Sequence, residues 1–391
     1  MPVTERVMQL GDWNLVLRPD TPKMVRDKIK GFGHIVVMPA LIDAVDMNDA
    51  QLANARYTGV ITNPGPYYRI GGHGLAFWLG TTDRAYGRLL AANAFVNAVM
   101  PSGVGFASAI TTALSGCGLS VGTTTDPSGG TYFAAGTSYH YAKHRVVLDA
   151  ICRFYNAEWR INPNGSVDVA AYDTLYPAPT TVVTRRPGGR VIGGVGVEAL
   201  VDAQSDLWNF ASRVVLRGQT AVGAYGAEAT VPTDAGGVYR AFDGYKLVAV
   251  AEQDAADLDG DLTFAATRLL PTLSHPHRTV TVSTEAYDFA GDVGAGSRIY
   301  VYDPDMGVLT DPTLSSDSVE WQGEHIKPMR FRALGVTWPV EEGMSVFVRR
   351  HTGSSLFAGD LEYVDLTPFV QYETGATKVE VGYDVSLEWS N

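Results

Sequence analysis

The chain has 391 residues, of which 46% are hydrophobic and 18% charged, and its 30 basic against 42 acidic side chains give a formal charge of -12. That length exceeds what one hydrophobic core serves, so two to four domains are expected. The acidic balance argues against a sequence-independent grip on nucleic-acid phosphates, which takes clustered Lys and Arg. With 42 glycines, 20 prolines and 19 tyrosines, the composition favours many short strands joined by turns over long helices.

The start, MPVTERVMQL, has no basic region followed by an apolar core, and apolar runs elsewhere stop short of the roughly 20 residues that span a bilayer. Neither a signal peptide nor a membrane anchor is expected. From Asp12 to about Thr81 the chain reads as strands with punctuation: WNLVLR, HIVVM, YTGVIT, YYRI and LAFWLG, separated by prolines, glycines and a GGHG turn. Only ALIDAV and the basic VRDKIK look helical. Residues 1–82 therefore suit a small barrel or sandwich, a first β-domain with Trp13, Phe77 and Trp78 as core aromatics.

An alanine-rich stretch then predicts a helix from about Asp83 to Val99, ended by Pro101, and FASAITTALSGCG predicts a second one through Leu114. A loop leads into VVLDAICRFYNAEWRINPNGSVDV. Its first half carries Val147, Ala150, Ile151 and Phe154 at the spacing that builds one apolar helical stripe. After Ala157 the period becomes two, and Pro163, Asn164 and Gly165 supply a three-residue turn. The register follows from the turn: Asn162 opposite Ser166, Ile161 opposite Val167, and Arg160 opposite Asp168 as an ion pair. Residues 83–178 form an α/β lobe.

Beyond the Pro-rich exit near residue 178, strands dominate residues 179–391, read as a second β-domain, discontinuous and interrupted by a helix from Asp261 to Thr272 with an inserted lobe. The alternation from Lys378 to Trp389 ends the chain in an amphipathic strand. The fold class is mainly β with an α/β lobe (α+β).

Reactive constellations are scarce. His140 and His144 lie four apart as in a zinc-binding helix, but Tyr141 stands where a metalloprotease needs Glu and a third ligand is missing. His275 and His277 flank a proline in a polar turn. Asp257, Asp259 and Asp261 resemble a calcium loop with a misplaced glycine and no closing glutamate. Glu158, on the hairpin's polar face beside Arg160, and Glu341 with Glu342, in a turn, read as solvated rather than as a glycosidase pair. Ser115 lacks the G-x-S-x-G elbow, and the glycines of 71–74 and 193–198 read as turns rather than phosphate cradles. Cys117 and Cys152 form no C-x-x-C and read as small buried hydrophobes. No catalytic, cofactor-binding or metal residue is assigned, and no cofactor is expected.

The helix and hairpin ending in LDAICRFYNAEWRINPNGSVDV, taken with LAFWLGTT, SDLWNFASRVVLRG, SRIYVYDPDMG, IKPMRFRALGVTWPVEEGM and VFVRR in that order, resemble the tail hub, or baseplate hub, proteins of tailed bacteriophages, of the siphophage minor tail protein type. The resemblance implies two β-barrel domains interleaved with smaller lobes, and a homotrimer whose six similar barrels make a pseudo-sixfold ring. It implies a virion protein at the distal end of the tail, made in the host cytoplasm. Its partners would be copies of itself, the distal tail protein ring, the C-terminus of the tape-measure protein, and tail-tip or fibre proteins. Genome DNA would only pass through the channel. The alternative is a receptor- or carbohydrate-binding β-sandwich protein of the tail tip; a cell-wall hydrolase is a third class.

Overall fold

The computed structural model describes residues 2–6, 8–65, 68–80, 95–101, 103–127, 137–155, 157–171, 174–176, 182–184, 199–206, 213–220, 223–230, 248–252, 277–284, 294–302, 319–321, 324–326, 329–351, 361–372 and 377–383. They are mainly strand with few helices. Strands β1 (Pro2–Arg6), β2 (Asp12–Val16), β3 (His34–Met38), β4 (Tyr57–Asn63) and β5 (Arg69–Gly74) come first. In β2, Trp13 and Leu15 are buried while Asp12 and Asn14 face water. In β3 every residue is buried, because Ile35 and Val37 enter one core and Val36 and Met38 another. A strand covered on both faces needs a continuous apolar run, which is what HIVVM supplies.

The lobe follows, with β6 (Val96–Met100), β7 (Ser120–Thr124), β8 (Thr137–Ala142), β9 (Ala157–Ile161) and β10 (Ser166–Ala171), and helices Phe106–Leu114 and His144–Tyr155. The second helix buries Val147, Leu148, Ile151, Cys152, Phe154 and Tyr155 completely. Each large apolar side chain so buried is worth roughly 1.5–3 kcal/mol before chain entropy is counted, which fixes the helix against Phe106, Ile110 and the η-turn aromatics Phe77 and Trp78.

The remaining strands are β11 (Val182–Thr184), β12 (Ala199–Asp206), β13 (Arg213–Thr220), β14 (Gly223–Thr230), β15 (Val248–Glu252), β16 (His277–Thr284), β17 (Arg298–Tyr302), β18 (Val319–Trp321), β19 (Glu324–Ile326), β20 (Met329–Pro339), β21 (Ser345–His351), β22 (Leu361–Asp365) and β23 (Thr377–Tyr383). The largest sheet runs β12-β16-β23-β20-β1-β2-β5-β4-β3-β21-β22, with β17 joining β20. Strand β1 sits between the two ends of the chain: Val3 lies opposite Trp13 on one side and Trp338 on the other. One hydrophobic core accordingly mixes Val3, Trp13, Ile35 and Ile70 with Ile299, Phe331, Trp338 and Val348. No closed barrel is found among the described strand ladders. A single bridge, Leu17 to Val370, brings the segment after β22 back to the end of β2.

Five expectations change. The GGHG run is strand β5, not a turn: a Cβ on Gly72 would fall 1.8 Å from the Val60 carbonyl oxygen, so glycine lets β5 lie flush against β4. LAFWL is a fully buried 3-10 helix, closed by Gly80 in the left-handed region at φ 74°. ALIDAV is irregular, because the Asp43 side chain accepts the Val45 N–H at 3.2 Å and Ser345 Oγ accepts the Ile42 N–H at 2.8 Å, diverting backbone donors from a helix. Of the helix predicted over Asp83 to Val99, Val96–Met100 is a strand with both end residues buried, and residues 83–94 lie outside the described residues. VRDKIK keeps only one helical turn, Lys23–Arg26. The helix predicted from Asp261 to Thr272, and the final strand beyond Tyr383, also lie outside the described residues.

Candidate functional site

The hairpin read from the sequence folds in the expected register. Asn162 donates its N–H to Ser166 O at 2.8 Å, Gly165 donates to Asn162 O at 2.8 Å, and Gly165 takes φ 82°. Ile161 faces Val167 and Arg160 faces Asp168, with Arg160 Nη2 3.2 Å from Asp168 Oδ2. Burial pushes the Asp168 carboxyl up, but hydrogen bonds from Asn162, the Thr123 backbone and Arg160 outweigh it and hold the group below the usual range.

Glu158 is not solvated. It is fully buried, and Arg332 of β20 donates its Nη2 to Glu158 Oε2. The polar face of the hairpin is covered by the last β-rich part of the chain, so the carboxylate meets a guanidinium instead of water. Tyr176 lies between the two arginines, its ring 5.3 Å from Arg332 Cζ and 5.4 Å from Arg160 Cζ. Burial pushes the Tyr176 hydroxyl up to about 12. Gly296, at φ 94°, completes the packing, since a Cβ there would fall 2.0 Å from Tyr176 Cζ. Period-two spacing places Glu158 on one face of the hairpin and carries no information on what lies over that face.

The helix leading into the hairpin is tied on its other side. Trp159 Nε1 donates to Asp149 Oδ1 at 2.8 Å, and Arg145 bonds both Asp149 Oδ2 at 3.2 Å and the Met8 carbonyl at 3.0 Å. Between the hairpin, the β1–β2 turn, the start of β4 and the loop at Gly294–Ser297 opens a cleft of about 310 Å³. On its floor lies Glu5, partly buried; burial pushes its carboxyl up, opposed by the Trp338 Nε1–H donated at 2.7 Å and by the charge of Arg56. Arg56 stacks on Trp338 with Cζ 4.0 Å from the ring centroid.

The other residues weighed from the sequence stay apart. His140 is exposed on β8, while His144 is buried and donates Nδ1–H to Ala113 O at 2.8 Å. Ser115 caps the end of the first lobe helix. Cys117 and Cys152 are free, buried thiols of the lobe core, as expected; burial pushes Cys117 up to about 11 and Cys152 well above its ordinary value. Glu341 accepts the Met344 N–H at 3.2 Å in the turn between β20 and β21. His277 opens β16; His275, Asp257, Asp259, Asp261 and residues 193–198 lie outside the described residues. Among the described residues no group of three or more His, Cys, Asp or Glu could hold a metal ion, and no helix is long and apolar enough to cross a membrane. Among the described residues the arrangement is a set of clamps between chain segments.

No family model matches the sequence, and no curated protein matches it. Solved structures do. The tail protein from Neisseria meningitidis MC58 is similar at 14% identity with a TM-score of 0.56, over 98% of this chain and 91% of that one. Prophage tail protein gp18 from Listeria monocytogenes EGD-e is similar at 8% identity with a TM-score of 0.53, over 98% of this chain and 88% of that one. This chain carries the fold of these tail proteins.

Proposed function

We propose that this chain is a structural protein of a bacteriophage tail tip: a homotrimeric hub that adapts the sixfold tail tube, through its distal tail protein ring, to a threefold tip and lines the channel by which DNA leaves. The observation that carries this reading is the extent of the likeness, which covers 98% of the chain and nearly all of two tail proteins. The β-rich parts at 1–82 and 179–391 would act as the two barrel units flanking the lobe at 83–178, so that three copies present six similar units to a sixfold partner. The formal charge of -12 suits a channel that DNA must cross without adhering. The tape-measure C-terminus and tip or fibre proteins would complete the contacts, and bond-breaking chemistry would fall to other proteins.

Light scattering and negative-stain imaging of the purified chain, alone and mixed with the distal tail protein of its phage, test the proposal. A threefold ring with a central channel is expected in the mixture. A monomer under both conditions at micromolar concentration overturns it, and glycan-array binding by that monomer would move the assignment to receptor recognition.

A further inference from the structure

Two stretches of the chain keep apolar side chains in water, and they carry opposite charge. The first is the segment from Lys23 to Lys30, where Lys23, Arg26, Lys28 and Lys30 stand against Asp27 alone and Met24 is 70% exposed. The second is the loop from Pro39 to Ala50, which holds Asp43, Asp46 and Asp49 with no basic residue and leaves Leu41 68% and Val45 90% exposed. Single exposed apolar residues are ordinary on a surface, but these sit inside charged stretches of fixed shape. The loop is held to the sheet: Ser345 Oγ accepts the Ile42 N–H at 2.8 Å, Tyr363 Oη donates to Asp49 at 2.6 Å, and Met47 is buried. These contacts hold Leu41 and Val45 outward, and a surface preformed in this way loses little conformational freedom on binding.

The two stretches lie on opposite faces of one sheet. In β3 and β21, Ile35 and Val348 enter one core, while Val36 and Phe347 enter another. Ile29 belongs to the first of these cores and Met47 to the second, so the basic segment covers one face and the acidic loop the other. Strand β22, the last of the sheet, is gripped from both sides, as its successive residues point to opposite faces: Lys28 Nζ lies 2.6 Å from Glu362, and Asp49 accepts the Tyr363 hydroxyl. A chain therefore cannot bring its own acidic loop onto its own basic segment, because the sheet stands between them. Lys28 is held by Glu362 and Arg26 lies over the Tyr68 ring at 5.1 Å. The Lys23 and Lys30 ammonium groups and the Asp46 carboxylate have no side-chain partner among the described residues.

We propose that the acidic loop of one copy docks on the basic segment of the next, so that Leu41 and Val45 are covered against Met24 while Asp43 and Asp46 meet Lys23 and Lys30. A second copy fits because every copy carries both halves, opposite in charge and each with uncovered apolar side chains. Two different surfaces meet in such a contact, and a contact of that kind closes into a ring when its rotation allows. This inference rests on the homotrimeric reading above and names the surfaces that join its copies.

Analytical ultracentrifugation of the full chain, alone and with the distal tail protein of its phage, reads the association. Lys23→Glu with Lys30→Glu reverses the segment, and Asp43→Lys with Asp46→Lys reverses the loop. Either pair should raise the dissociation constant of the oligomer at least about tenfold, and the four changes together should restore it. Val45→Asp should weaken association similarly. All of these positions are exposed, so the variants should melt like the parent; Asp46→Lys alone, which leaves the Asp43 bond to the Val45 N–H in place, reads the loop if Asp43→Lys disturbs it. A parent that assembles while both reversals leave its dissociation constant unchanged overturns this contact and spares the hub reading. So does a folded chain with all four changes that associates no better than either pair. A parent that stays monomeric under both conditions overturns the contact and the hub reading together.

Discussion

Replacing Glu158 by Gln would remove the carboxylate that meets the Arg332 guanidinium, a charged group enclosed with its side chain 5% exposed. Breaking one partner of a buried pair costs about 3–5 kcal/mol, because the remaining charge keeps its desolvation penalty and loses its compensation. The Tyr176 ring at 5.3 Å offsets part of this, an effect on the order of 1–2 kcal/mol for a desolvated cation over an aromatic face. The net expectation for Glu158→Gln is about 1–4 kcal/mol. The Lys28–Glu362 pair supplies the internal control: its side chains are 39% and 38% exposed, and Lys28→Ala should cost under about 1 kcal/mol. Urea denaturation followed by tryptophan fluorescence reads both. Arg332→Met alone should match the Glu158→Gln loss, since it strands the carboxylate instead. The double substitution Glu158→Met with Arg332→Met removes both charges and should recover most of the stability. Additive losses in the double variant, or a Glu158→Gln cost no larger than that of Lys28→Ala, would refute the buried-clamp account.

Glu5, partly buried and held above the 4.5 of an unperturbed glutamate, binds its proton more tightly folded than unfolded. The stability it lends is complete below pH 4.5 and is lost as pH rises through its folded value. Glu5→Gln should therefore flatten the fall in denaturation free energy as pH rises above 4.5; an unchanged slope contradicts the burial argument. Gly72→Ala forces a Cβ to 1.8 Å from a backbone oxygen and should cost about 2–4 kcal/mol or prevent folding, whereas Gly31→Ala, with nothing within 4 Å, should melt like the parent. Neither Cys117 nor Cys152 should react with a thiol reagent at neutral pH until the lobe unfolds, because both are buried with raised thiol values; a rapid stoichiometric reaction in native buffer would count against this.

How much of this was legible depends on the range of the interaction. The stripe of Val147, Ile151 and Phe154 and the turn at Asn162 to Ser166 are decided within a few residues, and both appear as read. Period and turn chemistry are local properties. The GGHG segment failed for a non-local reason: glycine was read as freedom to turn, whereas here its missing side chain admits the Val60 backbone. Glu158 failed for the same class of reason, since its cover comes from Arg332, 174 positions away.

The position of β1 shows what such distant pairing does to the architecture. Thr4 and Thr337 share a hydrogen bond of 3.1 Å across a separation of 333 residues, so the main sheet cannot be finished until the last third of the chain is present. The sheet core and the lobe core remain separate apolar clusters. At their boundary lie the Glu158–Arg332 pair, Tyr176 and the Arg145 bond to Met8, contacts that depend on direction in a way apolar packing does not. Apolar packing also crosses this boundary, since Val60 and residues 75–79 belong to the lobe core, and the charged clamps add directional contacts to it. Removing one directional contact should therefore weaken the boundary without emptying either core, as the Glu158 variants would reveal.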